Sequence, residues 1–265
     1  MADLLDNLKQ LVELDRTFGI EFQGKPALGA QPPAPSAQRP AAKDQRPAAS
    51  SQRPATSDQQ PAASTPRTAP APPALSGLPA ADLEAIAVAI AQCRACGLCE
   101  RRTRTVPGEG PATPDIVFVG EGPGADEDAS GRPFVGAAGQ LLEKMIGAMG
   151  FQRSEVFICN VVKCRPPGNR APEPEEMSAC MPFLEAQLTA LRPKVICLLG
   201  ATPLKALLGL SGITRLHGQR QEWRGIPVIP TFHPAYLLRN AEAKKPAWED
   251  LKAVLAVLGR EPPKR

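Results

Sequence analysis

Aromatic residues are scarce in this chain. They make up 4% of 265 residues, with one tyrosine, two tryptophans and eight phenylalanines. Histidine occurs only twice. Long apolar runs are missing too. Stretches such as Val195-Ile196-Cys197-Leu198-Leu199 fall far short of the ~18 residues that cross a bilayer. The opening Met1-Ala2-Asp3-Leu4-Leu5-Asp6 has no basic patch leading into an apolar stretch, so no export signal is read. The expectation is a cytoplasmic protein without a membrane partner. In a reducing compartment, seven cysteines fit a metal site with spare buried thiols better than a disulfide framework. No strong excess of one charge exists either. A net charge of +4 is compatible with an anionic partner but does not by itself point to one.

Proline, in contrast, is abundant, and it is concentrated. Between Gly24 and Ala80, 13 of 57 residues are proline, and nearly all the others are Ala, Ser, Gln, Arg, Thr and Lys. A seven-residue repeat lies inside: Gln38-Arg39-Pro40-Ala41, Gln45-Arg46-Pro47-Ala48, Gln52-Arg53-Pro54-Ala55 and Gln59-Gln60-Pro61-Ala62. A proline in each repeat removes a helical hydrogen bond, and no apolar seam accompanies the period. The segment 24–80 therefore reads as a disordered, partly polyproline-like tether. Ahead of it, within 1–23, Leu4, Leu5, Leu8, Leu11, Val12 and Phe18 fall roughly on one helical face. That short helix either packs on the main domain or docks on a protein partner at the end of a leash. Residues 1–82 carry eight basic and eight acidic side chains, so the positive excess belongs to the remainder.

The segment 81–265 alternates strand and helix patterns. Buried strands are predicted over 115–119, 156–162, 194–199 and 226–231. Helices are predicted over 82–92, 139–149, 174–191, 202–208 and 246–258. This alternation implies an α/β fold: a three-layer α/β/α sandwich around a four-stranded parallel sheet. Ligands of such sheets sit at the carboxyl ends of the strands, and three motifs fall at such ends.

The first is Gly120-Glu121-Gly122-Pro123-Gly124. It lacks the spacing of a dinucleotide or phosphate loop, so alone it marks a tight turn that lets a ligand approach the backbone. Glu127, Asp128 and Gly131-Arg132-Pro133-Phe134-Val135-Gly136 follow it. Phe134 is placed either to be a flat stacking surface or to fold back on the core. The second is Asn160, whose amide offers both a donor and an acceptor to a planar partner. The third is His233, in Thr231-Phe232-His233-Pro234-Ala235-Tyr236-Leu237-Leu238-Arg239-Asn240. A histidine there can donate to developing negative charge. Leu237 and Leu238 are candidate wedges into a base stack, and Arg239 a candidate phosphate contact. His217 reads as a turn residue.

Cys93 and Cys96 form a C-x-x-C pair with Cys99 three further on, and 15 residues separate Cys164 from Cys180. Cys159 and Cys197 read as small core hydrophobes. Four thiolates from two segments suit zinc or a cubane cluster. The spacing does not choose between the metals, nor between Cys93/Cys96 and Cys96/Cys99.

Taken together, the Gly120–Gly124 and Gly131–Gly136 strings, Asn160-Val161-Val162-Lys163-Cys164-Arg165-Pro166-Pro167 and His233-Pro234-Ala235-Tyr236-Leu237-Leu238-Arg239 resemble the family 4 uracil-DNA glycosylases, the iron–sulfur branch of that superfamily. The resemblance runs from about Cys93 to Leu258. It implies a DNA-repair enzyme that flips uracil out of DNA and hydrolyses its N-glycosidic bond, acting as a monomer on uracil-containing DNA. It implies a [4Fe–4S] cluster on Cys93, Cys96, Cys164 and Cys180, leaving Cys99 spare. Gly120, Glu121, Gly122, Phe134, Asn160 and His233 would bind the base. His233, Glu121 and Asn160 would carry the chemistry, while Leu237, Leu238 and Arg239 would contact DNA. Family 1 members have an aspartate in the first motif; here Glu121 stands there, to position the turn or a water.

Two alternatives differ in class. One is a relative that traps its product on a histidine in an Arg-rich loop; Arg165-Pro166-Pro167-Gly168-Asn169-Arg170 has no histidine. The other is a cluster-bearing DNA-binding module without activity, tied to a polymerase through the N-terminal helix.

Overall fold

The computed structural model describes residues 82–263. The N-terminal helix of 1–23 and the tether of 24–80 lie outside the described residues.

Five strands form one sheet: β1 (Ile116–Gly120), β2 (Phe157–Asn160), β3 (Val195–Leu199), β4 (Gln221–Trp223) and β5 (Ile226–Thr231), in the order β2-β1-β3-β5-β4. The four expected strands are parallel, and their register aligns Gly120 with Asn160 and Leu199 with Thr231. The difference from expectation is β4. It is a three-residue strand that pairs antiparallel with β5 through the turn at Arg224 and Gly225. It is too short, and its exposure too mixed, to show an alternating pattern in the sequence.

Helices α1 (Leu83–Gln92), α2 (Ala125–Ser130), α3 (Ala137–Ala148), α4 (Pro174–Leu191), α5 (Ala201–Leu208), α6 (Ile213–Leu216), α7 (Pro234–Arg239) and α8 (Lys244–Val257) complete the described fold. Asp82 starts α1, where its carboxylate accepts the N–H groups of Glu84 and Ala85 at 3.0 and 3.1 Å. That cap satisfies amides which the helix cannot pair itself. The short α2 and α6 and the helix α7 carry too few residues for a period to be read.

Central strands bury both faces, so they are apolar throughout instead of alternating. Along β1, Ile116 and Phe118 pack with Leu142, Met145 and Ile146 of α3 and with Leu251, Val254 and Leu255 of α8. Val117 and Val119 pack on the other face with Ile86 and Ile90 of α1, Phe183, Leu184 and Leu188 of α4, and Leu204 of α5. This is the three-layer sandwich. Cys159 and Cys197 sit in these cores fully buried, as their strand positions suggested. Phe118 is fully buried in the middle of the interior strand β1. Phe118→Ala is expected to lower stability by about 3–5 kcal/mol, read from the denaturant midpoint.

Candidate functional site

All the strands but β4 end on one edge of the sheet, and there the chain opens a cleft of about 500 Å³. Its walls come from the turn after β1 (Glu121–Gly124), Phe134, Asn160, the β3–α5 turn with Thr202, and His233, Tyr236 and Arg239. Segments far apart in sequence, singled out for their chemistry, thus share one concavity.

Gly120 sets the floor. A Cβ added there would collide with the Asn160 amide oxygen and with the ring of Phe134. The missing side chain lets a ring and an amide crowd over the end of β1. Phe134 itself holds a left-handed φ of 50°, a conformation that costs a non-glycine residue about 1–3 kcal/mol and persists only where the surroundings impose it. Three contacts do so. Arg153 donates to the carbonyl of Phe134 at 3.1 Å and also to that of Pro133. Glu127 accepts Val135 N–H and Gly136 N–H at 2.9 and 3.0 Å through one oxygen, and Gly124 N–H at 3.0 Å through the other. Gly139 lies so close to the Phe134 carbonyl that no Cβ fits. Phe134 is 6% exposed. One side joins the α3 core and another lines the cleft, so both readings of its sequence position hold.

Asn160 ends β2 and is 1% exposed. Among the described residues its Oδ1 is the one buried side-chain polar atom without a hydrogen-bond partner. Such an acceptor costs about 1–3 kcal/mol while unpaired, so the site is built for a donor that arrives from outside.

His233 caps α7. Its Nδ1 accepts Ala235 N–H at 3.1 Å, which leaves the proton of the neutral ring on Nε2. Burial lowers the imidazole from its ordinary 6.5 to about 4, with the Arg239 charge adding to the effect and Glu127 opposing it. The ring is therefore neutral near pH 7. Its centroid lies 5.8 Å from that of Phe134, the planes tilted by 35°. Glu121 accepts a hydrogen bond from the Thr202 hydroxyl of α5, which holds its carboxylate against the cleft wall.

One expected contact needs correction. Leu237 is 1% exposed and belongs to the core, so it cannot wedge into DNA. Helical geometry turns adjacent residues about 100° apart, and Leu238, 50% exposed, takes the outer position with Tyr236. Arg239 lines the cleft. Sequence reasoning missed Tyr236, Thr202 and Arg153. Only Tyr236, the single tyrosine, offered a signal.

The cysteines gather separately. Cys93, Cys96, Cys99, Cys164 and Cys180 line one small apolar space with Ile90, Leu98, Arg102 and Phe183. Arg102 donates to Cys164 Sγ at 3.2 Å and Ala95 N–H to Cys93 Sγ at 3.5 Å. Burial raises the thiols of Cys164 and Cys180 to about 11 and about 12. Among the described residues, no three His, Cys, Asp or Glu side chains surround a single ion. A tetranuclear cluster needs no such grouping, because each thiolate binds a different iron. Sulfur ligands with N–H and guanidinium donors aimed at them suit that kind of centre. No helix among the described residues is long and apolar enough to cross a membrane.

A three-layer α/β fold with a ring, an unpaired amide and a neutral imidazole at the carboxyl edge of its sheet defines a protein built to hold a planar polar heterocycle. The family profile described as the uracil DNA glycosylase superfamily matches residues 107–252. The type-4 uracil-DNA glycosylase of Thermotoga maritima is 47% identical over 68% of this chain and 96% of its own length. That of Sulfurisphaera tokodaii is 45% identical over 65% and 83%, and that of Saccharolobus solfataricus 40% identical over 68% and 88%. The chain belongs to the uracil DNA glycosylase superfamily, in its type-4 family.

Two tests follow from this geometry. The unfolded His233 binds protons below about pH 6.5 while the folded ring resists them until about 4. The unfolded state thus carries more protons in that window, and the ring's contribution to stability is complete above it and lost as the pH falls. The thermal stability of the native protein relative to His233→Gln should therefore decline from about pH 7 to about pH 4. Gly139→Ala should push back the Phe134 carbonyl and lower stability by about 1–3 kcal/mol, measured by thermal denaturation.

Proposed function

We propose that the cleft takes up a uracil flipped from DNA and that the chain hydrolyses its glycosidic bond, leaving an abasic site. The observation that carries this reading is the unpaired, buried Oδ1 of Asn160 on the cleft wall. A base inside a duplex is unreachable, so it must first leave the stack. Phe134 then stacks against it. Asn160 accepts N3–H through Oδ1 and donates to O4 through its amide N–H. Cytosine offers an acceptor at N3 and a donor at C4, so both groups would stay unpaired at about 1–3 kcal/mol each.

As the bond breaks, electrons pass to the base, which leaves as an anion beside an oxocarbenium-like sugar. His233 donates Nε2–H to O2, where charge accumulates. Being neutral, it needs no carboxylate partner, and such a preorganised donor is worth about 2.7–4 kcal/mol. Glu121, one oxygen held by Thr202, is placed to orient the water that completes hydrolysis. Tyr236, exposed on the cleft wall, and Leu238, exposed on the same helix, would face the duplex, and Arg239 a phosphate.

Cys93, Cys96, Cys164 and Cys180 would hold a [4Fe–4S] cluster whose contribution is structural, tying the segment before β1 to the loop after β2 and to α4. In support stand the convergence of these cysteines and the Arg102 contact to Cys164.

Uracil release from an oligonucleotide tests the activity directly. His233→Ala should slow single-turnover excision by about 10²–10³-fold while affinity for an abasic duplex is kept; an unchanged rate would remove the role given to His233. Anaerobically prepared protein should contain about four irons per chain, and Cys164→Ser should lose them.

A further inference from the structure

Lys163 is 1% exposed and among the largest fully buried side chains of the described residues. Its Nζ donates to the Asn160 carbonyl and to Gln187 Oε1 of α4, both at 2.7 Å. Gln187 in turn donates to the Pro107 carbonyl at 2.7 Å. The Lys163 carbonyl accepts Val106 N–H at 2.8 Å, and the residue itself lines the cysteine-bounded space. Cys164 is the next residue. One side chain and one peptide unit thus join the cysteine-lined space, α4, the loop before β1 and the residue that ends β2.

Nothing in the catalytic reading uses this lysine. The ion pairs of the described residues include no carboxylate for it. A buried cation without an anion is expensive, and an apolar residue of similar size is commonly as stable or more so. Packing alone therefore does not account for a lysine here. The Asn160 carbonyl does. β2 stops at Asn160, and its carbonyl is buried where the chain leaves the sheet. Lys163 supplies the donor, three residues on, and Gln187 holds the lysine in turn. Because the carbonyl fixes the peptide plane after Asn160, it also constrains where the side-chain amide points. A thiolate-ligated iron cluster held by these cysteines would place net negative charge beside this cation.

We propose that Lys163 is a positioning residue, a strut that carries the geometry of the cysteine site to the base-reading amide of Asn160. The inference rests on the glycosylase reading above. Its test uses the full chain, purified anaerobically, and two duplexes. One holds an uncleavable 2′-fluoroarabino-uridine and the other a tetrahydrofuran abasic analogue. Iron content is measured on every variant. Lys163→Met keeps the volume and removes the donors. Its preference for the uridine duplex over the abasic one should fall about tenfold, the size of one lost hydrogen bond, with affinity for the abasic duplex unchanged. An unchanged preference overturns the proposal. So does an equal loss on both duplexes, which marks a merely structural lysine. If Lys163→Met does not fold, Gln187→Met decides: it removes the brace on Nζ together with the donor to the Pro107 carbonyl and should lower the preference about threefold, and no change again overturns the strut. A native protein that shows no preference at all overturns the glycosylase reading itself, an outcome distinct from either variant's failure.

Discussion

The site depends on a close approach at the end of one strand. Gly120 has no side chain, so the Phe134 ring and the Asn160 amide can both occupy the space above it. Parallel register brings the ends of β1 and β2 together, but register alone would leave the ring out of reach. The left-handed backbone of Phe134, held by Arg153, Glu127 and the bare Gly139, brings it in. Strain at this point is sustained by contacts on three sides, as preorganised binding sites require. A base entering as proposed would meet groups already in place, with little of its binding energy spent on ordering them.

Electrostatics follows from the same geometry. His233 lies where burial and Arg239 keep the imidazole neutral, while the Ala235 amide dictates which nitrogen bears the proton. A neutral donor suits an anion that forms only during bond cleavage, because it does not bind a negative group in advance. Arg239 therefore has two effects: it adds positive charge at the rim where a phosphate would lie, and it disfavours protonation of the histidine beside it. The cysteine site stands apart from this chemistry, joined to it through Lys163 and Asn160. A cluster held there, as proposed, would tie the loop after β2 to α4 without touching the substrate.

Much of this was legible in the residues. The four parallel strands and the long helices showed through apolar runs and helical periods, since buried strands and amphipathic helices leave patterns that local physics imposes. Gly120, Asn160 and His233 stood out because they end or follow a strand, where an open α/β sheet places its ligands, and Phe134 as an aromatic between Pro133 and Gly136 in a loop. Short elements did not show. β4 and α2 are too brief for a period, and the leucine pair of α7 could be separated into a buried Leu237 and an exposed Leu238 only by knowing which way the helix faces.

Sequence alone determined the layered fold, the cysteine spacing and the chemical types available at the strand ends, because these depend on local patterning and residue identity. Tertiary structure decided the rest. The unpaired oxygen of Asn160, the tautomer and neutrality of His233, the forced backbone of Phe134 and the buried strut of Lys163 are each made by neighbours in space, from Ala235, two positions from His233, to Gln187, 24 positions from Lys163. Burial and hydrogen bonding are properties of neighbours in space, and a linear chain does not state who those neighbours are.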